Sequence, residues 1–369
     1  MKFFSFSSAC LIPLLLCSCG ESPSSSNAPS LKTGSYPDWS LSEKSDDEKW
    51  RKDLSPILHG IVRRQFENLD PFLEKLDERC RSGRALRSVF YDAFENYHFR
   101  ANDAARYHPE YEKGFLEWAK LKPESPAQTI GLAALYLDRG WMSRGTGWAK
   151  DVTKEGMKGF QENLEKSHRL LREAPDFVKM DPHYYKLLIS IGIGKGLPLE
   201  EVNGYFEAGQ KIDPLYLQLY FTVTECLQPY WYGENSTQWH DWLDNALKYE
   251  GVGEEDREVI YGSVVRSKIR HDYKDYGSNA FEVMGVDKQR FMRGLSAYVR
   301  RYPESSSWPL HYFYHANMAY DVEAMKDAIE LSGRLYDPFV WKPASSLWAV
   351  FDQVSDKYPE MAEVLGREL

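Results

Sequence analysis

Apolar residues along this chain recur at helical spacing, and strand-like alternation is scarce. In the run Ala127-Gln-Thr-Ile-Gly-Leu-Ala-Ala-Leu-Tyr-Leu-Asp138, the positions Ile130, Ala133, Ala134 and Leu137 share one face. The small residues on that face let a neighbouring helix come close. The same period runs through 199–212, 215–227, 291–302 and 310–331. From residue 51 onward, six sites place Ser or Asp directly before Pro: Ser55-Pro56, Asp70-Pro71, Ser125-Pro126, Asp181-Pro182, Asp213-Pro214 and Asp337-Pro338. A side-chain oxygen there can cap free N–H groups, and proline at the first helical position forfeits no hydrogen bond, so each pair predicts a helix start.

Helices this short cannot bury their apolar faces alone, so they must pair. The spacings Pro182 to Pro214 and Pro303 to Pro338 lie close to the ~34-residue period of tetratricopeptide-type helix pairs. In Tyr205-Phe-Glu-Ala-Gly-Gln-Lys-Ile-Asp-Pro-Leu-Tyr216 a helix runs into Asp-Pro and a tyrosine follows, as at a repeat junction, and Leu121–Ser125 and Arg300–Ser305 echo it. The expected fold class is all-α, a tetratricopeptide-like α-solenoid or α/α helical array.

The first residues follow another logic. One lysine, then a short apolar run ending in small residues, reads as an export signal, because the run is too short to cross a membrane. Leu16-Cys17-Ser18-Cys19 resembles a bacterial lipobox with Cys19 as the acylated residue. The expected division is therefore a signal peptide over 1–18, a lipid anchor with a Ser/Pro-rich tether over 19–50 and a helical domain over 51–369. Gly20 after the cysteine resembles the outer-membrane sorting pattern of a Gram-negative cell. Cys80 and Cys226 remain, with a disulfide and two buried thiols equally open.

Net charge of −9 and the lack of a dense basic run argue against a nucleic-acid partner. Aromatic content of 14%, with 11 Trp and 24 Tyr, implies either rings packed between helices or a groove that stacks sugars or grips a peptide. No G-x-S-x-G, H-E-x-x-H, paired Cys-x-x-Cys or G-x-x-x-x-G-K-[ST] motif is present. Gly192, Gly194 and Gly196 follow an apolar run, but no Ser or Thr follows Lys195, so a helix from Pro182 with glycines at a close contact and a turn is the better account. His311 and His315 sit at i, i+4, which is metal-ligand spacing, but no third ligand suggests itself. In Trp239-His-Asp-Trp242 the adjacent His and Asp cannot face each other on a helix. No cofactor, metal or catalytic residue is expected, and the chain reads as more binding protein than enzyme.

One segment carries a resemblance. Arg139-Gly-Trp-Met-Ser-Arg-Gly-Thr-Gly-Trp-Ala-Lys-Asp-Val-Thr-Lys-Glu-Gly156 is similar to the A-W-x-x-R-G-S-G-Y-A-x-T-V-x-x-x-G-W segment of the bacterial family named domain of unknown function 4034. The Asp-Pro-x-Tyr junctions at Asp181–Tyr184 and Asp213–Tyr216 fit it too, as does Leu227-Gln-Pro-Tyr-Trp-Tyr-Gly233. Met157 and Tyr230 depart from the pattern, which has Trp and Arg there. The resemblance covers about residues 60–265, with further helical pairs over 286–369. It implies a helical, tetratricopeptide-like fold and carries over no activity.

The expected function is a lipid-anchored, non-enzymatic module of the cell envelope that binds a protein or peptide. A glycan-binding lipoprotein of an uptake system and a periplasmic α/α hydrolase are the alternatives. The candidate recognition surface is Trp141, Arg144, Gly145, Gly147, Trp148, Pro229, Trp231, Gly233, Trp239 and Trp242. At its centre, the stretch from Trp141 to Thr153 admits a second reading as a plain corner, with Gly145 ending one helix and Thr153 capping the next.

Overall fold

The computed structural model describes residues 36, 38–41, 56–69, 73, 76, 78, 83, 86–95, 101–145, 147, 149–229, 231–276, 279–337 and 344–367. Cys19, Cys80 and Trp148 lie outside the described residues, as do 1–18 and most of 19–50.

Among the described residues the fold is all-α, with sixteen helices and one pair of two-residue strands. The helices are α1 (56–63), α2 (Leu86–Glu95), α3 (Ala101–Leu121), α4 (Pro126–Arg144), α5 (Lys154–Arg172), α6 (Pro182–Lys195), α7 (Leu199–Ile212) and α8 (Leu217–Cys226). They continue as α9 (Gln238–Ala246), α10 (Glu254–Tyr276), α11 (Ala280–Val283), α12 (Lys288–Arg301), α13 (Trp308–Ala319), α14 (Val322–Ser332), α15 (Ala344–Lys357) and α16 (Glu360–Leu365). Close pairs form between α4 and α5, α6 and α7, α10 and α12, and α13 and α14, so the array is built from neighbouring helices. Two apolar cores result, one around α1 to α6 and one from α6 to the C-terminus. Tyr185, Tyr205 and Trp231 pack against both and join them.

Local chemistry explains many boundaries. Asp181 caps α6 by accepting from the His183 N–H at 2.9 Å, with Pro182 in the first turn. Gly196 closes that helix in the left-handed region (φ 69°, ψ 35°), so the stretch containing Gly192 and Gly194 is helical. A Cβ on Gly194 would lie 2.8 Å from Leu164 Cδ1, so this glycine sets the approach of α5 to α6. Thr153 caps α5 through the Gly156 N–H at 3.0 Å. The long α10 crosses α12 at Gly262 and Gly294, where an added Cβ on Gly262 would sit 2.4 Å from the Gly294 carbonyl carbon.

Two expectations shift. Asp213-Pro214 opens a turn, in which Asp213 accepts from the Leu215 N–H at 3.0 Å, and α8 starts only at Leu217. The single apolar run 310–331 is cut in two: Tyr320 takes a left-handed conformation (φ 59°) and Asp321 caps α14 through the Ala324 N–H at 2.9 Å.

Residues 36 and 38–41, inside the stretch expected as tether, belong to the folded body. Ser40 and Leu41 form strand β1, parallel to β2 (Leu335–Tyr336), with Ser40 opposite Leu335 and Leu41 opposite Tyr336. The Tyr36 hydroxyl donates to Asp352 at 2.7 Å, and the Trp39 indole N–H donates to the Leu365 carbonyl at 2.9 Å. Both rings are buried against α15 and α16, Tyr36 stacked on Trp348 at 5.2 Å. No helix among the described residues is long and apolar enough to cross a membrane.

Candidate functional site

Helix α2 aligns Arg87, Tyr91 and Glu95 at i, i+4 spacing on one face, with Asp92 beside them. That face meets the starts of α6 and α8, and the meeting is charged. Glu95 pairs with both His183 and Lys186, two side chains with no exposed surface. The other imidazole nitrogen of His183 lies 2.6 Å from the Tyr216 hydroxyl, and Gln218 donates to Asp92 at 3.1 Å. The Asp181 carboxylate accepts from the His183 N–H and the Tyr91 hydroxyl, both at 2.9 Å, and pairs with Arg87 Nε at 3.3 Å. Arg87 also lies 3.9 Å from Asp213, so one guanidinium stands between the two Asp-Pro junctions.

Burial pushes the Asp181 carboxyl above the usual carboxylate value, against the opposing pull of Arg87. Burial, reinforced by the Asp181 charge, holds the Tyr91 hydroxyl well above an ordinary phenol. Isolated buried charges are costly, and these are matched donor to acceptor, so the knot makes the register of α2, α6 and α8 specific.

Arg87 and the buried Asp181 also belong to the lining of a cleft of about 410 Å³. Leu73 and Leu76 form an apolar wall; Phe177 and Met180 sit on the rim, 40% and 64% exposed. Lys122 and Glu124 flank the start of α4, where Ser125 and Pro126 complete the lining. Ser125 is 7% exposed and occupies the N-cap position, yet its hydroxyl makes no hydrogen bond. The cleft combines paired charges, an apolar rim and a helix N-terminus, which suits holding a ligand. His183 and Lys186, the groups best suited to proton transfer, are sealed beneath it.

The residues singled out from the sequence fall into separate places. Trp141 is buried in the α4–α5 corner, 4.6 Å from the Phe160 ring and 5.8 Å from that of Trp231. Arg144 is buried as well and donates to the carbonyls of Gly145 and Gly147, both at 3.1 Å. Gly145 ends α4 at φ 73°, while Gly145, Gly147 and Pro229 are exposed. Gly233 closes the turn after α8, where a Cβ would sit 2.0 Å from the Leu227 carbonyl oxygen. Trp239 is fully buried, and the half-buried Trp242 donates to Asn203 at 3.0 Å and packs on Phe206. His240 turns to the Tyr261 hydroxyl at 2.9 Å, away from the exposed Asp241. His311 and His315 are buried in α13, the His315 Nδ1 2.6 Å from the His311 carbonyl. Among the described residues no cluster of three or more His, Cys, Asp or Glu is placed to hold a metal.

No protein-family model, curated protein or solved structure matches the chain. The site therefore rests on its own geometry.

Sequence reasoning marked Ser125-Pro126 and Asp181-Pro182 only as helix starts and missed the cleft between them. The local signal was Pro175-Asp-Phe-Val-Lys-Met180, a single 3-10 turn with three apolar residues. Val178 is buried there, and the other two face outward. The cleft lies at the opposite end of α4 from the Trp141 corner, about 28 Å away at 1.5 Å per residue over its 19 residues.

Proposed function

We propose that the chain is a lipid-anchored interaction module of the cell envelope, tethered through acyl groups on Cys19, that holds a protein or peptide segment. We place it with the domain of unknown function 4034 proteins as a binding protein without catalytic activity. The observation that carries this reading is the cleft at Arg87 and Asp181, with Phe177 and Met180 presented outward at its rim. Large apolar side chains exposed beside a concave polar floor are a common feature of partner sites. The glycan reading gains no support from the tryptophans, none of which is exposed among the described residues.

Capture from envelope extract tests the proposal, with mass spectrometry of what the chain retains and a Met180→Glu variant as control. A specific protein or peptide lost on substitution is the expected result. Equal retention by both forms would move the site elsewhere. For anchoring, Cys19→Ala should release the chain from the membrane fraction; a wild-type chain with no acyl mass would overturn that part.

A further inference from the structure

We infer that the face built from β1, β2 and the end of α16 is the one held against the lipid surface, so that the cleft is presented away from it. This rests on the acylation of Cys19 and adds how the anchored body is oriented.

The strap fixes where the anchor joins the body. Tyr36 donates to Asp352, Trp39 donates to the Leu365 carbonyl, β1 pairs with β2, and the Arg334 guanidinium donates to Asp38 at 2.8 Å. Trp348 of α15 meets both the Tyr36 ring and the Tyr336 ring, at 5.2 and 5.5 Å, so the strap and β2 are gripped by one side chain. Tyr36 and Trp39 are members of the second core, whereas Leu76 of the cleft lining and Val178 of the rim turn belong to the first. The chain coming from Cys19 therefore enters the body at one core, and the cleft is part of the other.

Sixteen residues lie between Cys19 and Tyr36. At ~3.3–3.6 Å per residue they span about 60 Å at the very most. A compact body of roughly 330 residues is about 50 Å across. Turning the strap to the far side would need that stretch nearly straight from the bilayer past the whole body, giving up most of its backbone freedom. An arrangement with the strap nearest the lipid imposes no such demand. Charge adds little: Arg334 pairs with Asp38, and Arg367 with Asp352 at 3.4 Å and Asp356 at 2.7 Å, so these cations are matched by acids and do not draw the face to anionic headgroups. Leu335 is exposed there, opposite Ser40 in the paired strands.

The test is fluorescence energy transfer from a donor dye on the acylated full chain to acceptor lipids in vesicles of phosphatidylethanolamine and phosphatidylglycerol. The dye is carried on Leu335→Cys or on Lys179→Cys, the latter in the turn at the cleft rim, both in a Cys80→Ser background with the background alone as labelling blank, Cys226 being buried. Quenching at 335 should exceed that at 179 by about twofold or more, for a body about 50 Å across. Inserting about twenty Gly/Ser residues after Ser30 should cut the difference roughly in half without touching the fold, because a longer tether restrains less. Equal quenching at the two positions, or stronger quenching at 179, in a chain that carries acyl mass would overturn the orientation and leave the anchor standing. A difference that vanished on adding salt would assign the orientation to charge and overturn the tether account. A chain with no acyl mass that failed to join the vesicles would sink the anchoring reading and this inference with it.

Discussion

The indole rings of Trp141 and Trp231 meet edge to face, 5.8 Å between centroids and 88° between planes. One comes from the end of α4 and the other from the turn after α8, so two segments far apart in sequence converge on one contact. Trp231 is also among the side chains that pack against both cores, which makes this pair part of the joint between them. Trp141→Ala should destabilise the chain by about 3–5 kcal/mol, as large-to-small changes in a core do. A double-mutant cycle with Trp231→Ala should show coupling of about 0.5–1.5 kcal/mol by urea denaturation. Strictly additive effects would mean the rings do not support one another.

Arg87 is expected to matter more for stability than its partial exposure suggests. Arg87→Met leaves Asp181, 4% exposed, without its cation, and breaking a buried pair typically costs about 3–5 kcal/mol. Adding Asp181→Asn should recover part of that loss by removing the stranded charge. Recovery with the second substitution, read from denaturation midpoints, distinguishes charge burial from simple loss of packing.

Glu112 links both limbs of the pH profile. Burial pushes its carboxyl up, but hydrogen bonds from Arg139 and Tyr136, each 2.7 Å, outweigh burial and leave it below the ordinary Glu value. Its contribution is then fully present above the unfolded value, about 4.3, and lost as pH falls through the lower folded value. Tyr136 has the opposite sense: burial first, then the Glu112 bond, raises its hydroxyl to about 12. Stability from that group is present below about 10, the unfolded value, and lost as pH rises through about 12. Glu112→Gln should flatten the acid limb and Tyr136→Phe the alkaline limb, measured as unfolding midpoints from pH 3 to 11. An unchanged acid limb in the first variant would remove Glu112 from the account.

The strap at Trp39 should stabilise the C-terminal end selectively. Trp39→Ala removes the bond to the Leu365 carbonyl and the contact with Phe351 at 4.8 Å. Hydrogen exchange should show lost protection in α15 and α16 and little change in α4 to α6. Unchanged protection at the C-terminus would return residues 36 and 38–41 to the role of a tether.

Capping chemistry acts within about four residues, so helix identity was readable from single stretches of sequence. Asp181, Thr153 and Gly196 mark their boundaries by their own side chains or lack of one, and Gly194 and Gly145 were legible as contact and turn. The break at Tyr320 was not, because a tyrosine in the left-handed region carries no local signature and is tolerated only where its surroundings over-determine it. Burial was the other limit. Tryptophans at 141 and 239 look alike in composition to residues of a binding groove, and only packed neighbours decide that a ring faces inward.

The sequence by itself determined an all-α array, helix starts such as those at Pro126 and Pro182, and the absence of familiar catalytic motifs, since periodicity and caps are local properties. Only the tertiary structure decided that Arg87 stands between Asp181 and Asp213, and that Ser125 and Met180 share a cleft. Those relationships depend on which helices meet, and that is settled by apolar burial summed over the whole chain, which no single stretch contains.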